Sequence, residues 1–120
     1  MRALLLIGIL LISCVVHAAA EWVYEYRPAK AEYVVYSGEL GDTYAPTAKD
    51  AKITIVLSGS AARDMFNALG TDRADACKDE ESTRVRYRDN IVCQRNKSKR
   101  HVCHIGFDLK TGKSIGGIIC

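Results

Sequence analysis

The chain has 120 residues, 48% of them hydrophobic and 26% charged, with five cysteines and only two prolines. This length accommodates one domain, and the composition excludes a disordered or fibrous chain. The formal net charge of +3 is too small to indicate a nucleic-acid-binding protein.

The first 20 residues have the layout of a secretory signal peptide. Arg2 precedes an apolar run over residues 3–16, and Ala18 and Ala20 supply the small side chains that a signal peptidase requires. The run is shorter than the roughly 20 residues of a membrane-spanning helix. We therefore expect cleavage after Ala20, soluble export without a transmembrane span, and one domain over residues 21–120.

A second interpretation concerns Cys14. The segment Leu11-Ile12-Ser13-Cys14 resembles the lipobox of bacterial lipoproteins, in which the cysteine is lipidated after cleavage. The match is loose, and two valines follow the cysteine where lipoproteins commonly carry polar residues. The sequence therefore favours soluble export over a lipid anchor at Cys14.

Two aromatic-rich stretches open the predicted domain. Residues 22–26 alternate aromatic and other side chains, and residues 32–36 form a second extended run, so together they predict a β-hairpin. Residues 37–50 contain two glycines, a proline and three acidic residues, which is typical of a loop. The aromatic side chains of this part are expected to pack on the sheet, with a binding interface as the alternative: Trp22, Tyr24, Tyr26, Tyr33, Tyr36 and Tyr44.

A strand and a helix are predicted next. Residues 51–57 alternate apolar and polar side chains, and Ser58-Gly59-Ser60 ends that pattern. Residues 61–69 then have the spacing of an amphipathic helix. Ser60 is the predicted N-cap, and Gly70 suits the left-handed position after the last turn.

The C-terminal half is predicted to consist of strands. Residues 84–88, a run from residue 91, residues 101–109 and residues 114–120 have extended patterns, and residues 110–113 form a hairpin turn. Short connections favour antiparallel pairing, and one amphipathic helix covers one sheet face. The prediction is an α+β domain with an antiparallel sheet of about five to six strands, one helix and two disulfides.

The two disulfides follow from cysteine parity. After the signal is removed, Cys77, Cys93, Cys103 and Cys120 remain, and small exported domains meet an oxidising compartment. The turn at 110–113 would set Cys103 opposite Cys120, which favours the pairs Cys77–Cys93 and Cys103–Cys120. The alternative is Cys93–Cys103 with Cys77–Cys120, since Cys93 and Cys103 lie symmetrically about a basic turn.

Two segments and the four cysteines follow a pattern found in other proteins. The segments are Ile53-Thr-Ile-Val-Leu-Ser-Gly-Ser-Ala-Ala62 and Gly106-Phe-Asp-Leu-Lys-Thr-Gly-Lys113. Over residues 50–120 the chain resembles a group of small exported proteins of Gram-negative bacteria whose function is unassigned. The resemblance implies a periplasmic setting and carries no catalytic residues.

The charges are unevenly distributed. Residues 21–83 hold 7 basic and 12 acidic side chains, whereas residues 84–120 hold 9 basic and 2 acidic ones. A solvated strand and an ordinary polar turn would explain this pattern, but clustered like charges also favour a partner with an acidic surface. The candidate binding residues are Arg84, Arg86, Arg88, Arg95, Lys97, Lys99 and Arg100.

Neither a catalytic nor a metal site is predicted. Ser58-Gly-Ser60 lacks the nucleophile-elbow pattern, and the aspartates show no paired spacing. His101, Cys103 and His104 lack the ligand spacing of a zinc site, and disulfides compete for the cysteines. No cofactor and no nucleic-acid partner are expected, since the basic stretch lacks a series of stacking aromatic side chains.

The sequence therefore predicts a non-enzymatic periplasmic protein-binding module, such as an inhibitor or an immunity-type protein. Its partner would carry an acidic surface that docks on the basic residues. The alternative is a small envelope protein that binds anionic lipid or polysaccharide.

Overall fold

The computed structural model describes Val16 and residues 18–119. The core of the predicted signal peptide, Cys14 and Cys120 therefore lie outside the described residues. Within them the elements are β1 (Lys30–Tyr36), β2 (Lys52–Ser58), α1 (Gly59–Ala68), β3 (Arg84–Arg88), β4 (Ile91–Arg95), β5 (His101–Asp108) and β6 (Ser114–Ile115). No helix in this part of the chain is long and apolar enough to cross a membrane.

All the strands belong to one antiparallel sheet. Its order is β1-β2-β5-β4-β3, and β6 pairs with the end of β5 that β4 leaves open. One helix, α1, packs mainly against β5, β2 and β4. The predicted α+β class, with an antiparallel sheet and a single helix, is confirmed.

The core lies between α1 and one face of the sheet, here called the helix face. Ala62 and Phe66 of the helix are buried against Cys93 and Cys103, and Leu57 packs beside them. Gly70 has the predicted left-handed backbone, with φ of +95°. The predicted N-cap is wrong by two residues: the chain enters the helix through Gly59 at φ +64°, so Ser58 occupies the cap position and Ser60 lies in the first turn.

The predicted N-terminal hairpin is wrong. Residues 22–26 form no strand, and β1 pairs with β2 instead. β1 pairs with the apolar β2 along all seven of its residues. As a result only Tyr36 of the six aromatic side chains is buried, at 4% exposure, while Trp22 and Tyr26 are 79% and 95% exposed.

The favoured disulfide pairing is also wrong. Cys93 on β4 and Cys103 on β5 face each other with Cα atoms 4.0 Å apart, and they form a disulfide, as in the alternative pairing. The C-terminal hairpin does not reach Cys103, because β6 pairs only with Gly106 and Phe107 and ends at Ile115. The sequence predicted a strand over residues 114–120, but the structure forms one only over Ser114–Ile115.

Irregular segments lie against the opposite sheet face. A Cβ atom on Gly117 would approach the backbone of Ile105 to 2.8 Å, so the C-terminal segment crosses β5 in close contact. Ile118 and Cys77 line a common cavity of about 200 Å³ with Val85, which is 2% exposed. The polar segment after α1 and the C-terminal segment thus meet over β3.

Candidate functional site

Two of the predicted binding residues are engaged within the protein. Arg84 Nε and Arg86 Nε donate hydrogen bonds of 2.7 and 2.9 Å to the Asp72 carboxylate. Arg86 Nη1 also donates to the Phe66 carbonyl oxygen at 2.9 Å. Arg86 pairs with Cys93 across the sheet, so its side chain lies on the helix face. These contacts fasten the end of α1 to β3.

The Asp72 carboxylate is strongly stabilised in its charged form. The hydrogen bonds from Arg84 and then Arg86 lower the pKa of Asp72 from 3.8 to about 2. Arg88, at the end of β3, is exposed and forms no ion pair within the described chain. The predicted arginine stripe is therefore divided: Arg84 and Arg86 share one carboxylate, which balances one of their two charges, and Arg88 has no described ion pair.

The predicted basic turn connects β4 to β5. Asn96 closes the turn. Its backbone N–H donates to the Arg100 carbonyl oxygen at 3.0 Å, and its side-chain Oδ1 accepts from the Arg100 backbone N–H at 2.9 Å. Lys99 has a left-handed backbone, with φ of +62°. Lys97, Lys99 and Arg100 are exposed, and Arg95 is half-buried at the end of β4.

A cleft of about 650 Å³ lies where the basic turn meets the start of α1. Four cationic side chains and His101 line this basic cleft, and no carboxylate does. The lining residues are Lys30, Ser58, Gly59, Ser60, Arg63, Lys99, Arg100, His101 and Val102. Within the described residues, Arg63 is the one cation of the four with a carboxylate in ion-pair distance, the exposed Asp64 at 3.1 Å.

The strand register explains why distant residues meet in the basic cleft. Ser58, the last residue of β2, pairs with Lys30 at the start of β1 on one side. On its other side it pairs with Val102 at the start of β5. Three chain segments therefore converge at one end of the sheet, and Gly59 turns the chain there into α1.

The start of α1 adds to the positive potential. The Ser58 side chain forms no capping hydrogen bond, and the first turn contains no acidic residue. Amides in a first helical turn lack intrahelical acceptors, and the helix dipole is positive at this end. A Cβ atom on Gly59 would meet nothing within 4 Å, so the backbone there is open to approach.

The environment of His101 reflects the positive charge of the basic cleft. Its ring lies edge-on to Phe66, with centroids 5.2 Å apart. Burial lowers the pKa of His101, and the charges of Arg95, Arg63, Arg84 and Arg86 lower it further. The imidazole is therefore neutral at pH 7, and an anion entering the cleft would raise its pKa.

The cleft does not form a recognisable catalytic arrangement. Ser58 and Ser60 line it together with His101, but in the part of the chain that the structure describes no hydrogen bond joins the imidazole to either hydroxyl. Cys93 and Cys103 are joined in a disulfide and supply no thiolate. Among residues 18–119 no cluster of side chains has the composition of a metal site.

The structure unites only part of the predicted set. Lys99 and Arg100 line the basic cleft, whereas Arg95, at the end of β4, and Lys97, on the turn, do not line it. Lys30 and Arg63 were missed, and only the strand register could have placed them there. The chain matches no protein family, and neither curated proteins nor solved structures give a significant match.

Proposed function

We propose that the protein is a non-enzymatic periplasmic binding module that docks an acidic segment of another protein, as inhibitors and immunity-type proteins do. The observation that carries this proposal is the basic cleft, where Lys30, Arg63, Lys99 and Arg100 converge without a lining carboxylate. Such a concave positive surface attracts an acidic partner and fixes its orientation.

The cations of the cleft are suited to carboxylate groups. Arg63 and Arg100 each present a planar guanidinium that can bind a carboxylate through two parallel hydrogen bonds. Lys30 and Lys99 add flexible point charges, and no described carboxylate lies within ion-pair distance of either. An acidic ligand would relieve the repulsion among these side chains, so complex formation has an electrostatic driving force.

Exposed aromatic side chains are a second feature typical of protein-binding surfaces. Trp22 and Tyr24 are 79% and 76% exposed, and they line a second crevice with Asp64, Asn67 and Ala68. Tyr and Trp are enriched in protein interfaces because they bury a large area and retain a polar tip. The aromatic crevice and the basic cleft share the same helix, where Asp64 follows Arg63.

Export to the periplasm is part of the proposal. It is supported by the signal-like first 20 residues, by the resemblance to small exported Gram-negative proteins and by the Cys93–Cys103 disulfide. We propose Cys77–Cys120 as the second disulfide. Cys77 and Ile118 line the same cavity, and Ile118 precedes Cys120 by two residues.

The test is a quantitative pull-down from envelope extract. The double variant Lys99→Glu/Arg100→Glu should recover at least about tenfold less partner than the wild type, because its glutamates repel the acidic segment. Lys110→Glu/Lys113→Glu is the matched control, since it changes the net charge equally at an exposed hairpin outside the cleft. Equal recovery with both variants would contradict the proposal.

The alternative has a separate signature. In the alternative, no partner protein is recovered, and both double variants weaken binding to anionic vesicles or lipopolysaccharide to the same extent. The chain would then bind anionic lipid or polysaccharide through its overall charge. Such binding would weaken steeply as the salt concentration rises.

A further inference from the structure

The helix face of the sheet is only partly covered. The helix packs over Leu57, Cys93 and Cys103. Six large apolar side chains of β1, β2 and β5 on the same face are at least partly exposed, including Tyr33 at 74% and Phe107 at 37%. This open sheet face consists of Tyr33, Val35, Ile53, Ile55, Ile105 and Phe107.

The strand register makes the open sheet face continuous. Tyr33 pairs with Ile55, which pairs with Ile105. In the next row Val35 pairs with Ile53, which pairs with Phe107. Apolar side chains therefore adjoin one another across β1, β2 and β5. Monomeric proteins seldom expose a contiguous apolar surface of this kind, and such a surface commonly marks a binding site.

Residues 21–27, here called the aromatic arm, form a second apolar surface that is not buried. Trp22 and Tyr24 have ring centroids 6.1 Å apart, as do Tyr24 and Tyr26. The three rings form a series and are 76–95% exposed. The arm lies beside Asp64 and Asn67 on the polar side of α1, so the open sheet face is left without it.

We propose that the open sheet face binds the aromatic arm of a second copy of this chain. The arm supplies apolar rings and carries Glu21, Glu25 and Arg27, of which Glu25 and Arg27 pair with each other at 3.3 Å. Arg88 lies at the β3 edge of the helix face, with β4 between it and the open sheet face. It is exposed and has no described ion pair, so one cation is available to the Glu21 carboxylate. The outer surface of α1 is a poorer match because it carries Arg63, Asp64 and Asn67.

Reciprocal exchange is geometrically simple. The arm leaves the domain just before the edge strand β1, and Pro28 lies between them. Each buried aromatic side chain contributes about 150–250 Å², so the three rings of one arm bury about 450–750 Å². Two exchanged arms with the faces they cover therefore reach at least the area of a standard interface. Exchange of one identical segment between two copies is a low-cost route to a dimer. No residue of the basic cleft is involved.

The test uses the exported chain purified from the cell envelope and its single tryptophan. Sedimentation from the micromolar to the hundreds-of-micromolar range should show a monomer–dimer equilibrium. Trp22 emission should shift to shorter wavelength as the dimer fills. Trp22→Phe/Tyr24→Ala/Tyr26→Ala should raise the dimer dissociation constant at least about a hundredfold. Tyr44→Ala, which removes a 64% exposed ring outside both surfaces, should leave it unchanged.

A mixing experiment guards against misfolding of the face variant. Ile105→Lys and the arm variant should each be monomeric alone, but together they should form a heterodimer with one intact contact. Three results would overturn the proposal: a monomer with solvent-exposed Trp22 at all concentrations, a monomer with buried Trp22, which would place the arm on its own sheet, or a dimer that survives the arm substitutions.

Discussion

The guanidinium carbon of Arg86 lies 4.1 Å from the centroid of the Phe66 ring, and Phe66 is the largest fully buried side chain of the core. The same guanidinium bonds the Phe66 carbonyl oxygen and the Asp72 carboxylate. Arg86 therefore links the end of α1, the segment after it and β3. The charge of Arg86 is therefore used in contacts within the fold.

The Asp72 contact predicts a pH-dependent loss of stability. Asp72→Asn should reduce the free energy of unfolding by about 1 kcal/mol at pH 7, after allowance for screening of a partly exposed ion pair. Because the folded pKa lies below the unfolded one, this stabilisation is complete above about pH 4 and disappears as the pH falls through about 2. Urea denaturation at several pH values measures it.

Asp79→Asn is the control for that series. Asp79 is exposed, and its carboxylate forms no ion pair in the described structure. Its substitution should change the unfolding free energy by less than about 0.5 kcal/mol. If both variants follow one pH profile, the Asp72 contact contributes nothing specific.

The Cys93–Cys103 disulfide closes a loop between residues 10 positions apart. For a loop of this length, chain entropy predicts that Cys93→Ala/Cys103→Ala lowers the unfolding free energy by about 2–3 kcal/mol. Thermal unfolding with and without reductant checks this value. Reductant should destabilise the wild type more than the variant, and an equal effect on both would mean that this bridge is not a main source of stability.

The second disulfide is tested by peptide mapping without reduction. A linked pair of peptides containing Cys77 and Cys120 is expected, with no thiol titrating in the exported chain. Recovery of a Cys77–Cys93 or a Cys103–Cys120 peptide would contradict both the observed bridge and the proposed one.

His101 provides a spectroscopic test of the basic cleft. Its free-state pKa should lie below the ordinary value, and an acidic peptide in the cleft should raise it because the peptide charge offsets the nearby arginines. Binding then takes up a proton, so affinity rises as the pH falls below the bound-state pKa. His104 is the internal control: burial lowers its pKa too, but it lies on the other sheet face and should not respond.

The sequence was most informative where local pattern decides structure. The alternation over residues 51–57 and the spacing of Ala62, Met65, Phe66 and Leu69 located β2 and α1 within two residues. It failed where long-range pairing decides. Residues 22–26 alternate as well as any strand, yet in the described structure they do not pair with β1, whose other edge is joined to β2.

The binding surface shows the same limit. Lys99 and Arg100 were identifiable because they crowd one turn. Lys30 and Arg63 joined them only through the pairing of Ser58 with Lys30 and Val102. Conversely, Arg84 and Arg86 resembled binding residues because Asp72, the carboxylate that both of them bind, lies 12 or more positions earlier in the chain.

The most direct measurement of the central claim is site-specific photocrosslinking in living cells. A photoreactive side chain at Ser60, an exposed position in the basic cleft, should give a discrete adduct with another protein, and Lys99→Glu/Arg100→Glu should abolish it. The same side chain at Thr111, on the distant hairpin, should give no such adduct. A Ser60 probe that captures only lipid or polysaccharide, or that captures the same proteins as Thr111, would contradict the account.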